Sequence, residues 1–216
     1  MDNKFCFNLD KVLKKYNIIP QGIIHIGAHL GEESKLYNSY NLKNKTIWIE
    51  ANPDLIDKLK KNVNNDIVIN EAVSNKEELC KFYITKADGL PDNKQSSSLK
   101  EMDFHLIAHP NVSVSDIIDV NTITMSNLIK KYNIDINNYD FLNIDIQGSE
   151  LDVLESFNNS LENIKSMYIE INTKSLYKDI PLVEDLDEFL NNKGFKRVET
   201  SIHKFAGWGQ GFYIIN

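Results

Sequence analysis

Cysteine, arginine and long apolar runs are scarce or missing in this chain of 216 residues. The only cysteines, Cys6 and Cys80, lie far apart without a C-x-x-C pair, which excludes a disulfide framework and a cysteine-rich zinc site. No apolar run approaches the roughly 18 residues that a membrane-spanning helix needs, and the N-terminal residues do not resemble a secretory signal. We therefore expect a cytoplasmic protein with no membrane partner.

Positive charge is also sparse, and Arg197 is the only arginine. Against 31 acidic residues the chain has 24 Lys and Arg, which gives a formal net charge of −7. Nonspecific binding to nucleic acid requires clustered cations, so this balance argues against a nucleic-acid partner. A single arginine also provides no set of bidentate clamps for a phosphate-rich ligand.

Short apolar strands alternate with helices along the chain, which predicts one α/β domain over residues 1–216, preceded by a helical extension at 1–19. Apolar runs predict strands at 22–27, 46–50, 66–70, 140–145 and 166–171. Periodic spacing predicts helices at 32–42, 54–63, 125–132, 149–157 and 182–193. Closing strands at 195–201 and 211–215 flank a turn rich in Gly207, Gly209 and Gly211. We expect a doubly wound sheet with an antiparallel edge.

A polar stretch at 85–115 interrupts this alternation and contains Gln95, three consecutive serines, His105 and His109. Long loops inside compact domains are commonly lids or binding loops. We therefore predict that 85–115 is the substrate loop.

The strongest local signal is the turn Gly27-Ala28-His29-Leu30-Gly31 between the first strand and its helix. Glycines let the backbone approach a ligand closely there, and the helix N-terminus offers unpaired N–H groups. Glu50 follows at the end of the next strand, where an acid accepts hydrogen bonds from a ribose diol. The ligand is either a dinucleotide or S-adenosylmethionine, and the absence of G-x-G-x-x-G weakens the dinucleotide alternative.

Six stretches together resemble the FkbM-type methyltransferase family, from about residue 20 to the C-terminus. They are His25-Ile-Gly-Ala-His-Leu-Gly-Glu32, Ile47-Trp-Ile-Glu-Ala-Asn-Pro53, Asn70-Glu-Ala-Val-Ser-Asn75, Gln95-Ser-Ser-Ser-Leu99, Asn143-Ile-Asp-Ile-Gln-Gly-Ser-Glu150 and Gly207-Trp-Gly-Gln-Gly-Phe-Tyr-Ile214. The resemblance implies a class I, Rossmann-like three-layer sandwich. Its sheet would have seven mostly parallel strands and an antiparallel C-terminal hairpin.

The resemblance implies an S-adenosylmethionine-dependent O-methyltransferase that modifies a hydroxyl of a small molecule or glycan. The same resemblance implies that the cofactor-binding residues are Gly27, Ala28, His29, Gly31, Glu50, Asn52, Glu71, Ala72 and Asp145. Asp145 ends a strand where ligands gather, so we also predict a catalytic role for it beside the transferable methyl group. Many family members have aspartate in place of His25, and that ligand role is not transferred to His25.

An alcohol acceptor must lose a proton, and we predict His105 as the second catalytic residue, its general base. Oxygen ligands at Asp145, Glu170 and Asn172 leave Mg²⁺ open as an additional cofactor, although two acids at strand ends are the simpler interpretation. Two other functions remain open at this point. One is an NAD-binding oxidoreductase, and the other is a catalytically silent cofactor-binding domain.

Overall fold

The computed structural model describes residues 8–63, 65–89 and 93–216, and its centre is a seven-stranded sheet of order β3-β2-β1-β7-β8-β10-β9. Its strands are β1 Ile23–Ile26, β2 Thr46–Glu50, β3 Ile67–Asn70, β7 Phe141–Ile144, β8 Ser166–Asn172, β9 Phe195–Ile202 and β10 Trp208–Ile215. The first five strands in this order, β3, β2, β1, β7 and β8, pair in parallel. Strand β10 runs antiparallel to both β8 and β9. This confirms the predicted sheet and its antiparallel edge.

Helices cover both faces of this sheet. The α-helices are α1 Leu9–Lys15, α2 Ser34–Ser39, α3 Ile56–Asn62, α4 His105–Ala108, α5 Met125–Lys131, α6 Glu150–Ser156 and α7 Val183–Asn192. Three 3₁₀ turns lie at Pro53–Leu55, Ile136–Asn138 and Asn158–Asn163. Most predicted helices are present but shorter, because their terminal turns are not α-helical.

The side chains of strand β1 contribute to the hydrophobic clusters on both faces of the sheet. Ile24 and Ile26 pack on the face covered by α5, α6 and α7, whereas Ile23 packs on the face covered by α1, α2 and α3. All four residues of β1 are buried, as a central parallel strand between two helical layers requires. Burying apolar side chains on both faces stabilises the sheet by about 25 cal/mol for each Å² removed from water.

The C-terminal hairpin corrects the predicted position of the glycine-rich turn. Gly209 and Gly211 lie inside β10, and only Gly207 precedes the strand. A Cβ atom at Gly209 would lie 1.8 Å from the carbonyl oxygen of Ser201 on β9. This glycine therefore permits close strand approach, and interpreting it as a turn residue was wrong.

A second sheet of three strands contains the two ends of the polar stretch 85–115. It has the order β4-β6-β5, with β4 Ala72–Val73, β5 Leu79–Ala87 and β6 Val112–Ile123. The prediction of an irregular stretch over all of 85–115 was therefore too broad, because the last residues of β5, all of α4 and the start of β6 are regular. The segment between them is anchored, since the Ser98 hydroxyl donates to the Gln147 carbonyl at 2.7 Å.

The described part of the chain contains one cysteine, Cys80, and no helix that could cross a membrane. Cys80 is a free, half-buried thiol, and Cys6 lies outside the described residues, as does the start of the predicted extension at 1–7. Within the described ranges, no helix combines the length and apolar character needed to cross a membrane.

Candidate active site

Two connected cavities open at the carboxyl ends of the parallel strands. The inner pocket is lined by residues that include Gly27, His29, Glu50, Ala72, Phe82 and Asp145. The outer cleft is lined by residues that include Glu33, His105, Gln147, Glu170, Trp208 and Gln210. Four residues line both: Gly27, His29, Gln95 and Asp145. These four residues form the junction of the two cavities, the wall that both of them share.

The turn after β1 depends on Gly27, whose φ angle is +83°. A Cβ atom on Gly27 would lie 1.8 Å from the carbonyl oxygen of Asp145, so a side chain there would collide with the end of β7. Gly31 has a different purpose, because a Cβ atom there would collide with Val63 and Leu59 of the α3 region. Gly31 therefore lets α3 pack closely and lines neither cavity.

Glu50 lies at the end of β2, buried in the wall of the inner pocket. Its carboxylate accepts the backbone N–H groups of His29 at 2.8 Å and of Asn52 at 2.7 Å. Burial raises the pKa of Glu50 above its usual value, while these two hydrogen bonds oppose the shift. Each carboxylate oxygen retains acceptor capacity, which suits it to a ribose diol.

The position of Asn52 does not match its predicted role as a cofactor-binding residue. It is completely buried, and its side-chain oxygen accepts the Asp54 backbone N–H at 3.0 Å as the cap of the turn Pro53–Leu55. Asn52 does not belong to the lining of either cavity. The structure therefore places it as a local cap that supports the chain after Glu50.

The far end of the inner pocket is mostly apolar. Its walls there come from Leu55, Ala72, Val73 and Phe82, which suit a flat aromatic base. Glu71 also lines this end, and its carboxylate accepts hydrogen bonds from Lys131 and Tyr132. The predicted adenine neighbours Glu71 and Ala72 are therefore both at the pocket.

The inner pocket fits S-adenosylmethionine by the chemistry of its lining. It combines the Glu50 carboxylate, a set of apolar walls and polar atoms without protein partners, namely Ser149 Oγ and His29 Nε2. The Ser149 side chain is almost wholly buried, and an unsatisfied buried hydroxyl in a pocket is available to a ligand. Glu50 would hold the ribose, and the apolar walls would hold the base.

The side chain of Gln147 bridges two carboxyl groups, that of Asp145 at the junction and that of Glu170 in the outer cleft. The Gln147 side-chain nitrogen donates to Asp145 Oδ1 at 2.7 Å and to Glu170 Oε2 at 2.9 Å. The hydroxyl of Tyr177 donates to the Gln147 side-chain oxygen at 2.7 Å, which fixes the orientation of the amide. Gln147 adopts a φ of +62°, and its backbone conformation brings the amide between the two acids.

The loop that carries Gln147 is anchored by Glu150. Its carboxylate accepts the backbone N–H groups of Ile146 and Gly148, each at 3.1 Å. Burial raises the pKa of Glu150 to about 7, although these hydrogen bonds favour the ionised form. Glu150 lies in the first turn of α6, but its contacts show that it also shapes the loop after β7.

His105 and His109, at the two ends of α4, line the outer cleft. His105 Nε2 lies 3.2 Å from Ser96 Oγ, and its Nδ1 is buried without a protein partner. Burial, followed by the neighbouring His109, lowers the pKa of His105 to about 4, so the ring is neutral at pH 7. His109 Nε2 accepts the indole N–H of Trp208 at 3.1 Å.

His25 is an interior residue on β1 that also reaches the outer cleft. Its Nδ1 lies 3.2 Å from the Tyr37 hydroxyl, to which the Asn143 amide donates at 2.8 Å. Burial lowers the pKa of His25 to about 4. The structure thus shows a neutral, hydrogen-bonded histidine at the position that departs from the family pattern.

The outer cleft is acidic. Its lining contains the carboxyl groups of Glu32, Glu33, Asp145 and Glu170, and none of the described residues that line it is Lys or Arg. Over the described part of the chain, no group of three or more His, Cys, Asp and Glu side chains is placed to hold a metal ion. Asn172, suggested above as an oxygen ligand, lines neither cavity.

Most of the predicted site residues converge on these cavities. Those that line the inner pocket are Gly27, His29, Glu50, Glu71, Ala72 and Asp145. Ala28 and His105 line the outer cleft, whereas Gly31 and Asn52 support the site from behind its walls.

Sequence reasoning did not single out Gln147, Tyr177 or Gln210 as site residues. Gln147 and Gln210 occur within two of the six stretches quoted above, so their motifs were visible although their roles were not. Tyr177 follows β8 in a segment with no recognisable motif, and only the folded chain brings it to Gln147.

A family model described as "Methyltransferase FkbM domain" matches residues 25–197. Among solved structures, the methyltransferase FkbM from Methylobacillus flagellatus KT is similar with a TM-score of 0.55 and 13% identity. That similarity covers 89% of this chain and 43% of the other, so the chain spans less than half the length of this relative. No curated protein sequence matches the chain.

Two further structures resemble it more distantly. TrmK of M. capricolum, in complex with S-adenosyl-homocysteine, has a TM-score of 0.47 and 17% identity over 90% of this chain and 61% of that one. A magnesium protoporphyrin IX methyltransferase from Synechocystis PCC 6803 with bound SAM has a TM-score of 0.47 and 10% identity over 96% and 77%. The sheet order and the similarity to the FkbM structure identify the fold as that of class I methyltransferases.

Proposed function

The chain belongs to the FkbM family of methyltransferases, and we propose that it transfers a methyl group from S-adenosylmethionine to a hydroxyl of a small-molecule or glycan acceptor. The observation that carries this proposal is the meeting of the inner pocket and the outer cleft at Asp145. Methyl transfer requires donor and acceptor to meet in line, and positioning provides much of the rate. Two cavities that share one wall provide that arrangement.

In this proposal the inner pocket binds the methyl donor and the outer cleft binds the acceptor. When bound, S-adenosylmethionine supplies an electrophilic methyl group on a cationic sulfur. Glu50 and the apolar walls hold the nucleoside end, and Asp145 faces the point at which the cavities meet. The outer cleft then orients the acceptor hydroxyl toward this point.

Two side chains at the outer cleft are candidates for removing the hydroxyl proton. His105 lines the outer cleft in its neutral form, and a neutral imidazole can accept a proton. Asp145 lies at the junction, where burial raises the pKa of its carboxyl above the usual value. Both residues keep the catalytic roles predicted from the sequence, His105 as general base and Asp145 beside the methyl group.

The lining of the outer cleft favours a neutral, hydroxylated acceptor. Its carboxyl groups accept hydrogen bonds, and the side-chain oxygen of buried Gln210 has no protein partner. A polyhydroxylated molecule supplies O–H donors to all of these oxygens. A phosphorylated or carboxylated acceptor would instead place an anion among acids without a compensating Lys or Arg in the described lining.

The proposal is tested first by calorimetric titration of the full chain with S-adenosylmethionine, S-adenosylhomocysteine and NAD. We expect micromolar binding of the first two and none of NAD. The second measurement is the release of S-adenosylhomocysteine in the presence of a panel of free sugars, glycosides and polyols. Binding of NAD alone would indicate the oxidoreductase alternative. Cofactor binding without turnover on any hydroxylated acceptor would indicate a silent binding domain.

A further inference from the structure

Gln147 has no role in the function proposed above, although its side chain contacts the carboxyl group at the junction of the two cavities. It lies three residues after β7 and adopts a φ of +62°, in the left-handed region that residues with a side chain rarely occupy. Such a conformation is unfavourable and persists only where the surrounding structure holds it. The contacts that hold Gln147 therefore indicate what it does.

The main chain around Gln147 is anchored on two sides. The Ser98 hydroxyl donates to the Gln147 carbonyl oxygen at 2.7 Å. At the next residue, Gly148, a Cβ atom would lie 2.6 Å from the side chain of Ile180, so the chain packs closely against the segment between β8 and α7. These contacts fix the backbone and leave the direction of the Gln147 amide to its own hydrogen bonds.

The Gln147 amide has one orientation that suits all of its neighbours. Its nitrogen donates to Asp145 Oδ1 at 2.7 Å and to Glu170 Oε2 at 2.9 Å, and its oxygen accepts from the Tyr177 hydroxyl at 2.7 Å. A carboxylate oxygen only accepts hydrogen bonds, whereas an amide nitrogen only donates them. Turning the amide over would place its oxygen against both acids, so the observed orientation is the stable one.

The bond from Gln147 sets the rotation of the Asp145 carboxyl group. Asp145 is only half-buried, so packing alone does not fix this rotation. Gln147 engages Oδ1, and Oδ2 lies 3.5 Å from the side-chain nitrogen of Gln210, a residue of the outer cleft. The second oxygen of Asp145 is therefore held on the side from which an acceptor hydroxyl would approach.

Tyr177 connects the Gln147 amide to the predicted general base. Tyr177 is almost wholly buried, and its hydroxyl oxygen lies 3.3 Å from the Ser96 carbonyl oxygen. The centre of its ring lies 5.4 Å from that of His105, whose Nε2 is 3.2 Å from Ser96 Oγ. One side chain thus contacts both the amide that holds Asp145 and the ring of His105.

We propose that Gln147 and Tyr177 are positioning residues for methyl transfer: Tyr177 fixes the Gln147 amide, and the amide holds the Asp145 carboxyl with its second oxygen toward the acceptor. The inference rests on the proposed function, because it needs the methyl group to pass between the cavities at Asp145. Both residues act through Asp145, so they affect the rate of transfer more than the binding of the acceptor.

The first test measures the affinities for donor and product and needs no acceptor. Calorimetric titration of the full chain with S-adenosylmethionine and S-adenosylhomocysteine gives their ratio. A carboxyl group turned toward the junction interacts with the positive sulfonium of the donor and only weakly with the neutral thioether of the product. Gln147→Met keeps the length of the side chain and removes the donor nitrogen. It should lower the preference for the donor by about 3- to 10-fold, with product affinity within threefold of wild type.

The second test measures turnover with any acceptor that the panel identifies. Gln147→Met should lower kcat by about 10- to 100-fold and change the KM of the acceptor less than threefold. Tyr177→Phe keeps the ring, removes the hydroxyl and should lower kcat by about 3- to 10-fold. Because Tyr177 acts through Gln147, Tyr177→Phe should cause no further loss in the Gln147→Met background. Independent, additive losses of kcat would overturn the inference.

Ser98→Ala is the matched control. It removes a hydrogen bond of the same length from the main chain of Gln147 and leaves every bond of the Gln147 amide in place. The affinity ratio and kcat should change less than twofold, although the chain should unfold at a lower temperature. Equal effects of Ser98→Ala and Gln147→Met would show that Gln147 only anchors its loop, which would overturn the inference.

The remaining outcomes separate this inference from the proposed function. An unchanged affinity ratio in Gln147→Met, with both ligands bound, would overturn the inference and leave the proposed function intact. Tyr177→Phe provides the same two measurements if Gln147→Met does not fold. The titrations are run in EDTA and again in Mg²⁺, and a donor preference that required Mg²⁺ would overturn the inference, because a cation would then order the acids. Failure of the wild-type chain to bind either ligand would overturn both proposals.

Discussion

The Glu50 carboxylate accepts the backbone N–H of His29 at 2.8 Å, so the end of β2 is hydrogen-bonded to the glycine turn after β1. The two residues are 21 positions apart in sequence and adjacent in the wall of the inner pocket. The contact shapes the cavity before any ligand arrives, because it fixes the turn and the acid relative to each other. Glu50 is therefore both a candidate for binding the cofactor and a residue that fixes the shape of the pocket.

We predict that Glu50→Gln weakens binding of S-adenosylhomocysteine by about 10- to 100-fold, because a charge-assisted hydrogen bond contributes about 1.5–3 kcal/mol. Calorimetric titration measures the change. Glu71→Gln is the control, since its carboxylate lines the same pocket but is already bonded to Lys131 and Tyr132. It should alter affinity less than threefold, and equal losses in the two variants would contradict the ribose assignment.

Gly27→Ala should prevent stable folding or reduce the free energy of unfolding by about 3 kcal/mol or more. The new Cβ atom would lie 1.8 Å from the Asp145 carbonyl oxygen, at a φ of +83°. Gly89→Ala is a matched control, because Gly89 has a φ of +74° and an added Cβ atom there would meet no heavy atom of the described residues within 4 Å. It should lose only about 1–2 kcal/mol from the left-handed backbone. Urea denaturation compares the two, and similar losses would show that the contact with β7 is unimportant.

His25 makes stability depend on pH in a defined direction. Burial lowers its pKa from 6.5 to about 4, so below pH 6.5 the unfolded chain takes up a proton that the folded chain refuses. Its contribution is complete above pH 6.5 and is lost as the pH falls toward 4.

Between pH 7 and pH 5, His25 should therefore account for about 2 kcal/mol of lost stability. His25→Phe keeps an aromatic ring between Tyr37 and Trp48 and should reduce this loss by that amount. Urea denaturation at both pH values measures it. His105 titrates in the same direction and the buried acid Glu150 in the opposite one, so the difference between the two proteins, and not the slope of either, isolates His25. Identical slopes in the two proteins would refute a buried neutral His25.

His105→Ala should lower kcat/KM by about 100-fold with any hydroxylated acceptor found in the panel, as expected for loss of a general base. Affinity for S-adenosylhomocysteine should stay within twofold, because His105 lines the outer cleft and not the inner pocket. His109→Ala should cost less activity, since its Nε2 already accepts from Trp208. Wild-type turnover of His105→Ala across pH 6–9 would show that another group removes the proton.

The charge of the acceptor should affect turnover. An acceptor that carries a phosphate should have a kcat/KM at least about tenfold below its unphosphorylated counterpart, because the anion would lie among four acids. Added salt should narrow the difference by screening the repulsion. Turnover of paired sugars and sugar phosphates at low and high salt measures this. Preference for the phosphate would point to cations outside the described lining.

Local patterns predicted most of the framework. The β1 strand, its glycine turn and the acid at the end of β2 follow from short-range apolar runs and from residues that the turn requires. The elements that were missed or displaced depend on distant partners. Strand β4 has only two residues and exists through its pairing with β6, and Gly209 lies in a strand because β9 approaches it closely.

The predicted site residues also separate into those set by local sequence and those that depend on distant contacts. Glu50 and Asp145 were predicted because each ends a buried strand, where ligands gather in an α/β sheet. Asn52 and Gly31 belong to the same motifs but line neither cavity, and sequence position alone does not distinguish lining residues from supporting ones. Side-chain direction after a strand depends on the turn that follows, and those turns are set by contacts with other elements.

The sequence by itself determined the order of strands and helices, the glycine turn at Gly27 and the acid at Glu50, since these follow from apolar periodicity and backbone sterics within a few residues. Only the tertiary structure decided that the carboxyl groups of Asp145 and Glu170 both accept from the side-chain amide of Gln147. Their strands β7 and β8 are neighbours in the sheet although 21 residues separate Ile144 from Ser166 in the chain. Contacts of this kind depend on which strands folding brings side by side, and that information is not present in the order of residues.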